Sequence, residues 1–197
     1  MKNIMEGRSN MYELYADGAT SNNGYANAVG GWAYIIIKDG QIVYKEAGQE
    51  TNPELATNQR MEMIAILRGC QKIEELDAFA NVKVYSDSAY CMNCFKQNWW
   101  RAWVRNGWKN SKKQPVANQD LWEQIIPYFE KHPIYDFVKV RGHANNIFNN
   151  LVDALAVEAK KGHTRCDVYI SDENAWVGTD AVKWNGEKWV PIKGWVE

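Results

Sequence analysis

Four carboxylates lie near the ends of predicted secondary-structure elements. Asp17, in "YADG", closes a run of strand-forming residues, and Asp87, in "VYSDSAY", closes another. Glu62 follows a polar "TNQ" segment early in a predicted helix, and Asp153 lies early in the last helical pattern. Each acid alone has a structural explanation as a turn residue, a helix cap or a residue of a first helical turn. Asp153, for example, lies three residues after Asn150, which is close to the spacing of a capping box.

Together the four acids suggest a metal site. If the first and fourth strands are neighbours, Asp17 and Asp87 emerge at one region of the sheet, and nearby helices add Glu62 and Asp153. Crowded carboxylates repel one another and stay ionised only beside a cation. Oxygen ligands of this kind suit Mg²⁺ or Mn²⁺. Two such ions about 4 Å apart serve in-line attack on a phosphodiester, one activating water and the other stabilising the leaving 3′-oxygen.

The first half of the chain predicts three strands, a helix and a further strand. "MYELYADG" alternates as a strand and ends at an Asp-Gly turn, and two β-rich runs follow, joined through Asp39-Gly40. This order predicts an antiparallel meander. Apolar residues from Thr57 to about Ile73 recur at helical spacing. "NVKVYSD" then predicts the fourth strand.

The second half predicts mostly helices. "SAYCMNCF" begins a helix, and "NWWRAWVRNGW" is a short helix that ends near Gly107. "NSKKQPV" is a loop, and the helix after it contains Pro127, which is expected to kink or interrupt it. "IYDFVKV" is the fifth strand, "RGHANNIFNN" a polar loop, and "LVDALAVEAKKG" a helix closed by Gly162. The element order predicts a mixed α/β fold, with a five-stranded mixed sheet covered by helices on both faces.

Charge is unevenly distributed along this 197-residue chain, whose formal net charge is −1. From Ser88 to Gln119 there are six basic residues and no acid, and four of the ten tryptophans lie in that stretch: Trp99, Trp100, Trp103 and Trp108. Basic side chains can neutralise nucleic-acid phosphates while aromatic faces pack against sugars or bases. The alternative is a solvated basic helix whose tryptophans pack on the core.

Cysteine usage and hydropathy restrict the class of protein. Four cysteines are too few for a disulfide scaffold, and without a second pair or a nearby histidine we expect the Cys91–Cys94 CxxC to be plain packing. No apolar run approaches the roughly 20 residues that span a bilayer. The first residues, "MKNIMEGRSN", lack an apolar signal core. We therefore expect a cytoplasmic protein without membrane contact.

The four acidic motifs together resemble ribonuclease H of type 1. The matching segments are "YADG", "TNQRMEM", "VYSDSAY" and "RGHANNIFNNLVDALA", in order and with suitable spacing, within residues 11–162. The resemblance implies the ribonuclease H-like fold and a catalytic domain over 11–162. It also implies that Asp17, Glu62, Asp87 and Asp153 bind two metal ions. His143, on a mobile loop, would assist proton transfer or product release.

The same resemblance implies a substrate and its contacts. The substrate would be an RNA–DNA hybrid whose RNA strand is cut endonucleolytically, leaving 5′-phosphate and 3′-hydroxyl ends. The basic stretch resembles the family's basic protrusion, with Trp103 at the DNA strand and Ser111 near it. Thr57 and Asn118 would bind a DNA phosphate. The minor groove would be contacted by Asn23, Asn58 and Gln59. Phosphates of the DNA strand would be contacted by Lys109, Lys112 and Lys113. Leu55 departs from the family pattern, because some members carry an arginine there in the phosphate pocket.

Three other interpretations remain open from the sequence. A DNA-directed nuclease of the same fold, such as a junction resolvase or integrase-like enzyme, is disfavoured by the basic tryptophan-rich stretch and the "TNQ" face. A non-catalytic hybrid-binding module would not need all four carboxylates. A reverse-transcriptase fragment is conceivable, although nothing here resembles a polymerase.

Residues 163–197 differ in character from the rest. They hold six acids against four basic residues, so this small tryptophan-rich extension is a poor phosphate binder. Its four tryptophans are expected to pack on the core or on a second copy of the chain, although the enzyme is expected to be a monomer. A β-unit that binds a protein partner is the alternative. Asn185-Gly186 predicts a hairpin there.

Overall fold

A computed structural model describes residues 10–131, 136–140 and 146–164, together with the backbone of four short strands between residues 170 and 191. Strands β1 (Met11–Ser21), β2 (Val29–Lys38) and β3 (Gln41–Glu50) form the predicted antiparallel meander. The β2–β3 turn is the predicted Asp39-Gly40 pair, with φ angles of 51° and 75°. Positive φ at both central residues is what a type I′ hairpin turn requires.

Two parallel strands complete the main sheet, β4 (Asn81–Ser86) and β5 (Asp136–Lys139). The strand order is β3-β2-β1-β4-β5, so the predicted neighbourhood of the first and fourth strands is confirmed. Tyr15 and Tyr85 are register partners in this parallel pair. Since the chain leaves β4 directly after Ser86, Asp87 emerges beside the part of β1 that carries Asp17.

Within the described residues, five helices cover the sheet on both faces, as predicted: α1 (Asn58–Leu76), α2 (Ala89–Lys96), α3 (Trp99–Arg105), α4 (Gln119–Lys131) and α5 (Ile147–Lys160). Helices α1 to α4 share one apolar cluster with the sheet, and α5 shares a second. Strand β2 contributes to both, because Ile36 belongs to the first cluster and Ile35 to the second. Burial on both faces explains its continuous apolar run.

Two predicted element boundaries are wrong. Strand β1 does not stop at Asp17 but continues through the Asp-Gly pair to Ser21. Helix α5 begins at Ile147 rather than Leu151, because the Asn146 side chain caps it by accepting hydrogen bonds from two backbone N–H groups. Asn150 is buried inside this helix, so the capping-box explanation of Asp153 fails.

Helix α4 runs from Gln119 to Lys131 and is not interrupted at Pro127, which was one of the two outcomes expected there. Gly162, at φ 96°, follows the end of α5 as predicted. Cys91 and Cys94 are free and buried, and burial raises the pKa of each thiol to about 12. Both side chains belong to the first apolar cluster, as plain packing predicts. Cys166 lies outside the described residues.

The extension contains a second sheet of four antiparallel strands in sequential order: β6 (Ile170–Ser171), β7 (Asn174–Val177), β8 (Asp180–Trp184) and β9 (Trp189–Pro191). Strands β8 and β9 flank the predicted Asn185-Gly186 turn and pair antiparallel, with Trp184 opposite Trp189. Strand β7 lies against α5. None of the helices in the described residues is both long enough and apolar enough to cross a bilayer.

Candidate active site

Asp17 is a buried carboxylate fixed inside strand β1, with 8% of its surface exposed. The glycine after it lets helix α1 lie against the strand. A Cβ added at Gly18 would be 2.4 Å from the Glu62 backbone nitrogen and 2.5 Å from the Met61 Cβ, closer than any side chain tolerates. The Asp-Gly pair therefore serves a close approach between strand and helix, which brings the start of α1 beside Asp17.

Glu62 lies in the first turns of α1 and is held by a neighbouring serine. Ser88 is buried and is the N-cap of α2, where its side chain accepts a hydrogen bond from the Cys91 backbone N–H. Burial raises the pKa of Glu62, the Ser88 hydrogen bond lowers it, and the charge of Asp87 raises it. A hydroxyl can donate to one group and accept from another, so Ser88 joins the start of α2 to Glu62.

The four predicted metal ligands share one electrostatic environment. Asp87 is exposed directly after β4, and Asp153 is half-buried on α5. The pKa of Asp17 is raised well above its usual value, first by burial and then by the charges of Asp87, Asp153 and Glu62, and the Gly18 N–H opposes this. Three carboxylates on three other elements thus act on the buried Asp17.

These acids do not form a tight ligand cluster. Within residues 10–131, 136–140 and 146–164, no three His, Cys, Asp or Glu side chains are gathered as a ready-made metal site. Mutual repulsion is a sufficient physical reason, because charged carboxylates approach closely only around a cation. The donor set nevertheless fits a divalent metal, since it consists of hard oxygen ligands placed where negative charge is destabilised.

The predicted phosphate-binding residues Thr57 and Asn118 are linked by an arginine that sequence reasoning missed. Thr57 is the N-cap of α1 and accepts from the Arg60 backbone N–H. The Arg60 guanidinium donates to Asn118 Oδ1 at 3.3 Å and forms a two-bond ion pair with Asp120 at 2.9 and 2.7 Å. This ion pair lowers the pKa of Asp120. Arg60 thus connects the starts of α1 and α4.

The predicted minor-groove residues lie on exposed parts of two elements. Asn58 and Gln59 are the first residues of α1, and Asn23 lies in the β1–β2 connection. Asn58 is tied to the sheet, because the Thr20 hydroxyl of β1 donates to its Oδ1. Leu55, just before the helix, is 38% exposed, so an apolar side chain lies at this rim.

The predicted basic protrusion is a structured loop after α3. Lys109, Ser111, Lys112 and Lys113 are all exposed. The Asn110 side chain organises the turn by accepting from the Lys112 and Gln114 backbone N–H groups at 2.9 and 3.1 Å. The lysines are therefore displayed to solvent by a hydrogen-bonded loop.

Trp103 is a core residue, contrary to the placement expected for an aromatic that faces the DNA. It keeps 9% of its surface exposed, with ring centroids 5.6 Å from Trp122 and 6.3 Å from Trp99. The short helix α3 must bury one apolar side chain to stay attached, and Trp103 is that residue. Contact with a DNA strand through its remaining edge stays a prediction. Trp99, Trp100 and Trp108 are only partly buried.

His143, the predicted catalytic histidine, lies outside the described residues. Ser88 and Arg60 lie inside the segments "VYSDSAY" and "TNQRMEM", whereas Thr20 and Asn110 lie outside the four motifs. The contacts of these four residues were missed, because each acts through a partner distant in sequence or through local turn geometry. Ser88 was the most accessible to sequence reasoning, because a serine at a strand–helix junction is a favoured N-cap.

Comparison with known proteins places the chain in a family. The RNase H family pattern matches residues 9–161. The chain belongs to the ribonuclease H family. It is 40% identical over 162 residues to a ribonuclease H of Thermoanaerobacter sp. (strain X514), which covers 82% of this chain and 97% of that protein. A ribonuclease H of Caldanaerobacter subterraneus subsp. tengcongensis is 40% identical over 161 residues, covering 82% and 98%.

A solved structure agrees with this assignment. The crystal structure of LC9-RNase H1, a type 1 RNase H with the type 2 active-site motif, superposes with a TM-score of 0.67 at 25% identity. The match covers 78% of this chain and 74% of that one. The sheet and helices described above are therefore the ribonuclease H-like fold, and family membership makes the chain a nuclease of the class that cleaves RNA–DNA hybrids.

Proposed function

We propose that this ribonuclease H cuts the RNA strand of an RNA–DNA hybrid endonucleolytically, with two divalent cations bound by Asp17, Glu62, Asp87 and Asp153. The products would be 5′-phosphate and 3′-hydroxyl ends. The observation that carries the proposal is the buried carboxylate of Asp17, whose pKa is raised by burial and by three other carboxylates. Such an arrangement is destabilising in itself, so it makes physical sense as a cation site.

The ligand chemistry supports Mg²⁺, with Mn²⁺ as an alternative. All four side chains offer carboxylate oxygens, which hard divalent cations prefer. A pair of such cations supplies Lewis-acid stabilisation of both the attacking water and the leaving oxygen of a phosphodiester. The protein supplies position: Asp17 is fixed by β1, Glu62 by Ser88, Asp87 by the end of β4 and Asp153 by α5.

His143 is proposed to assist proton transfer or product release. A histidine side chain ordinarily titrates near neutral pH, so His143, ten residues before Asp153, can exchange a proton there. This role is carried by the family resemblance of the "RGH" segment.

Substrate contacts divide between the two strands. Thr57 and Asn118 would bind one DNA phosphate. The side-chain oxygen of Asn118 accepts a hydrogen bond from Arg60, so Asn118 can offer its amide N–H groups to the phosphate. Asn23, Asn58 and Gln59 would face the minor groove. The exposed Lys109, Lys112 and Lys113 would neutralise DNA-strand phosphates, with Ser111 and the edge of Trp103 beside them.

The extension is assigned a separate role. We infer a catalytic domain over residues 11–162 and an extension over 163–197 that either packs on α5 or binds a partner or a second copy. Truncation after Gly162 distinguishes these. A large fall in Tm indicates packing, whereas unchanged Tm with altered processivity indicates a partner surface. Sedimentation of the full chain tests the expected monomer.

One experiment tests the activity. Labelled hybrid, double-stranded RNA and double-stranded DNA are offered side by side, with Mg²⁺ and with chelator. The proposal expects cleavage of the hybrid's RNA strand alone, and only with metal. Cleavage of double-stranded DNA would support the DNA-directed alternative, and chelator-resistant cleavage would exclude the metal mechanism.

A further inference from the structure

We propose that Thr20 is a positioning residue that fixes the side-chain amide of Asn58 with its NH₂ group toward the hybrid, which makes the minor-groove contact tolerant of sequence. This inference rests on the proposed function, because it assumes that Asn58 meets the minor groove. Neither residue is required for the metal site, so the two proposals can fail separately.

The observation is a hydrogen bond between two rigid elements. The Thr20 hydroxyl, near the end of β1, donates to Oδ1 of Asn58, the first residue of α1. Gly18 lies two residues earlier on the same face of the strand, where α1 approaches too closely to admit a Cβ. Thr20 is paired with Gly30 in the sheet, and Thr57 caps the helix just before Asn58. The backbones of both partners are therefore held by the elements to which they belong.

The consequence follows from the chemistry of an amide. Asn58 has one acceptor oxygen and an NH₂ group with two donors. With Oδ1 engaged by the Thr20 hydroxyl, the exposed side chain has its donors available for another molecule. Arg60 orients Asn118 in the same sense, by donating to its Oδ1.

Donors are what a sequence-tolerant contact in the minor groove requires. Every base pair presents acceptors there, the purine N3 and pyrimidine O2 atoms, whereas only guanine adds a donor. An amide that offers NH₂ therefore finds a partner at any base pair. An amide that offers its oxygen would find a partner only at guanine. By fixing the orientation, Thr20 would keep an enzyme that acts on many sequences from acquiring a base preference.

The test removes the hydroxyl of Thr20 and the acceptor of the base in turn. The full chain and its T20V variant are assayed on a hybrid and on matched hybrids with 3-deazaadenine at single DNA positions, which lack N3. For the wild type, 3-deazaadenine at one position should raise KM by about 3- to 10-fold, which corresponds to the loss of one hydrogen bond. This increase in KM is the deaza penalty. For T20V, KM on the unmodified hybrid should rise by a similar factor, kcat should stay within about 2-fold, and the deaza penalty should shrink to less than half.

Two further variants control for folding. T20S keeps a hydroxyl and should restore the wild-type KM and the deaza penalty. Ser21→Ala removes the neighbouring hydroxyl of β1, which donates to the Val29 carbonyl, and should leave the penalty unchanged. The inference would be overturned if T20V kept the full deaza penalty or if T20S lost it, even while hybrid cleavage persists. Absence of hybrid cleavage by the wild type would instead contradict the proposed function.

Discussion

The carboxylate region (Asp17, Glu62, Asp87 and Asp153) and the basic loop after α3 (Lys109, Lys112 and Lys113) carry opposite charges and differ in how their charged groups are exposed to solvent. Asp17 is buried in a strand and repelled by acids from three other elements. The lysines of the loop are exposed, whereas Trp103 of the preceding helix and Trp122 of α4 form a buried aromatic layer. The proposed metal ligands must be fixed where a cation would bind, even though this destabilises the metal-free protein. The proposed phosphate-binding lysines need only be displayed, and their solvation costs little.

The largest expected effect comes from removing a ligand charge at the carboxylate region. Asp17→Asn should lower kcat by at least about 10³-fold, because a metal ion contributes several kcal/mol of transition-state stabilisation. Hybrid binding should persist, since the amide removes repulsion toward phosphate. Cleavage assays and gel-shift titrations measure the two quantities. Asp136→Asn, an exposed acid at the start of β5, is the matched control and should be near wild type.

Truncating the aromatic layer tests whether the basic loop is built on the core. Trp103→Ala should lower the free energy of unfolding by about 3–5 kcal/mol, the range for buried large-to-small changes. Trp100 is only partly buried, and its ring centroid lies 5.1 Å from the Arg101 guanidinium carbon. Trp100→Ala should therefore lower the free energy of unfolding by less than half as much. Denaturant titration measures both. Equal losses would mean that the loop has no distinct buried layer.

Removing the displayed lysines should weaken binding and leave chemistry intact. The combined change of Lys109, Lys112 and Lys113 to Ala should raise KM by about 10-fold at moderate salt and reduce the slope of log affinity against log salt by roughly 1–3. Arg68→Ala, an exposed cation on α1, serves as control and should preserve the slope. A triple variant with the wild-type salt slope would remove this loop from the binding surface.

The smallest effect is a gain of stability at the carboxylate region. A raised folded-state pKa means that Asp17 favours folding while it is protonated. That stability is fully present below its unfolded pKa of about 3.9 and is lost as pH rises through the folded value. Without metal at neutral pH, Asp17→Asn should therefore raise Tm, by about 2–4 °C for a gain near 1 kcal/mol. Mg²⁺ should raise the wild-type Tm and affect the variant less. A variant less stable than the metal-free wild type would contradict the account of repulsion.

The sequence predicts the fold well, because periodicity, turn signals and four ordered motifs are local features, and the four metal ligands that it names stay a prediction. It places the β2–β3 turn at Asp39-Gly40, predicts the antiparallel meander and makes the first and fourth strands neighbours. What it misses depends on distant contacts. Strand β1 continues past Asp17 because residues 18–21 pair with β2, and Trp103 is buried because Trp122 of α4 lies beside it. The Thr20–Asn58 and Arg60–Asn118 hydrogen bonds likewise join residues 38 and 58 positions apart.

The central claim is that four acids from four elements share a pair of divalent cations. The direct measurement is anomalous diffraction from a crystal of the protein with Mn²⁺ and a hybrid that carries a non-hydrolysable linkage. We expect two peaks roughly 4 Å apart, bound by oxygens of Asp17, Glu62, Asp87 and Asp153. A map with the hybrid in place and no peak among those oxygens would contradict the claim.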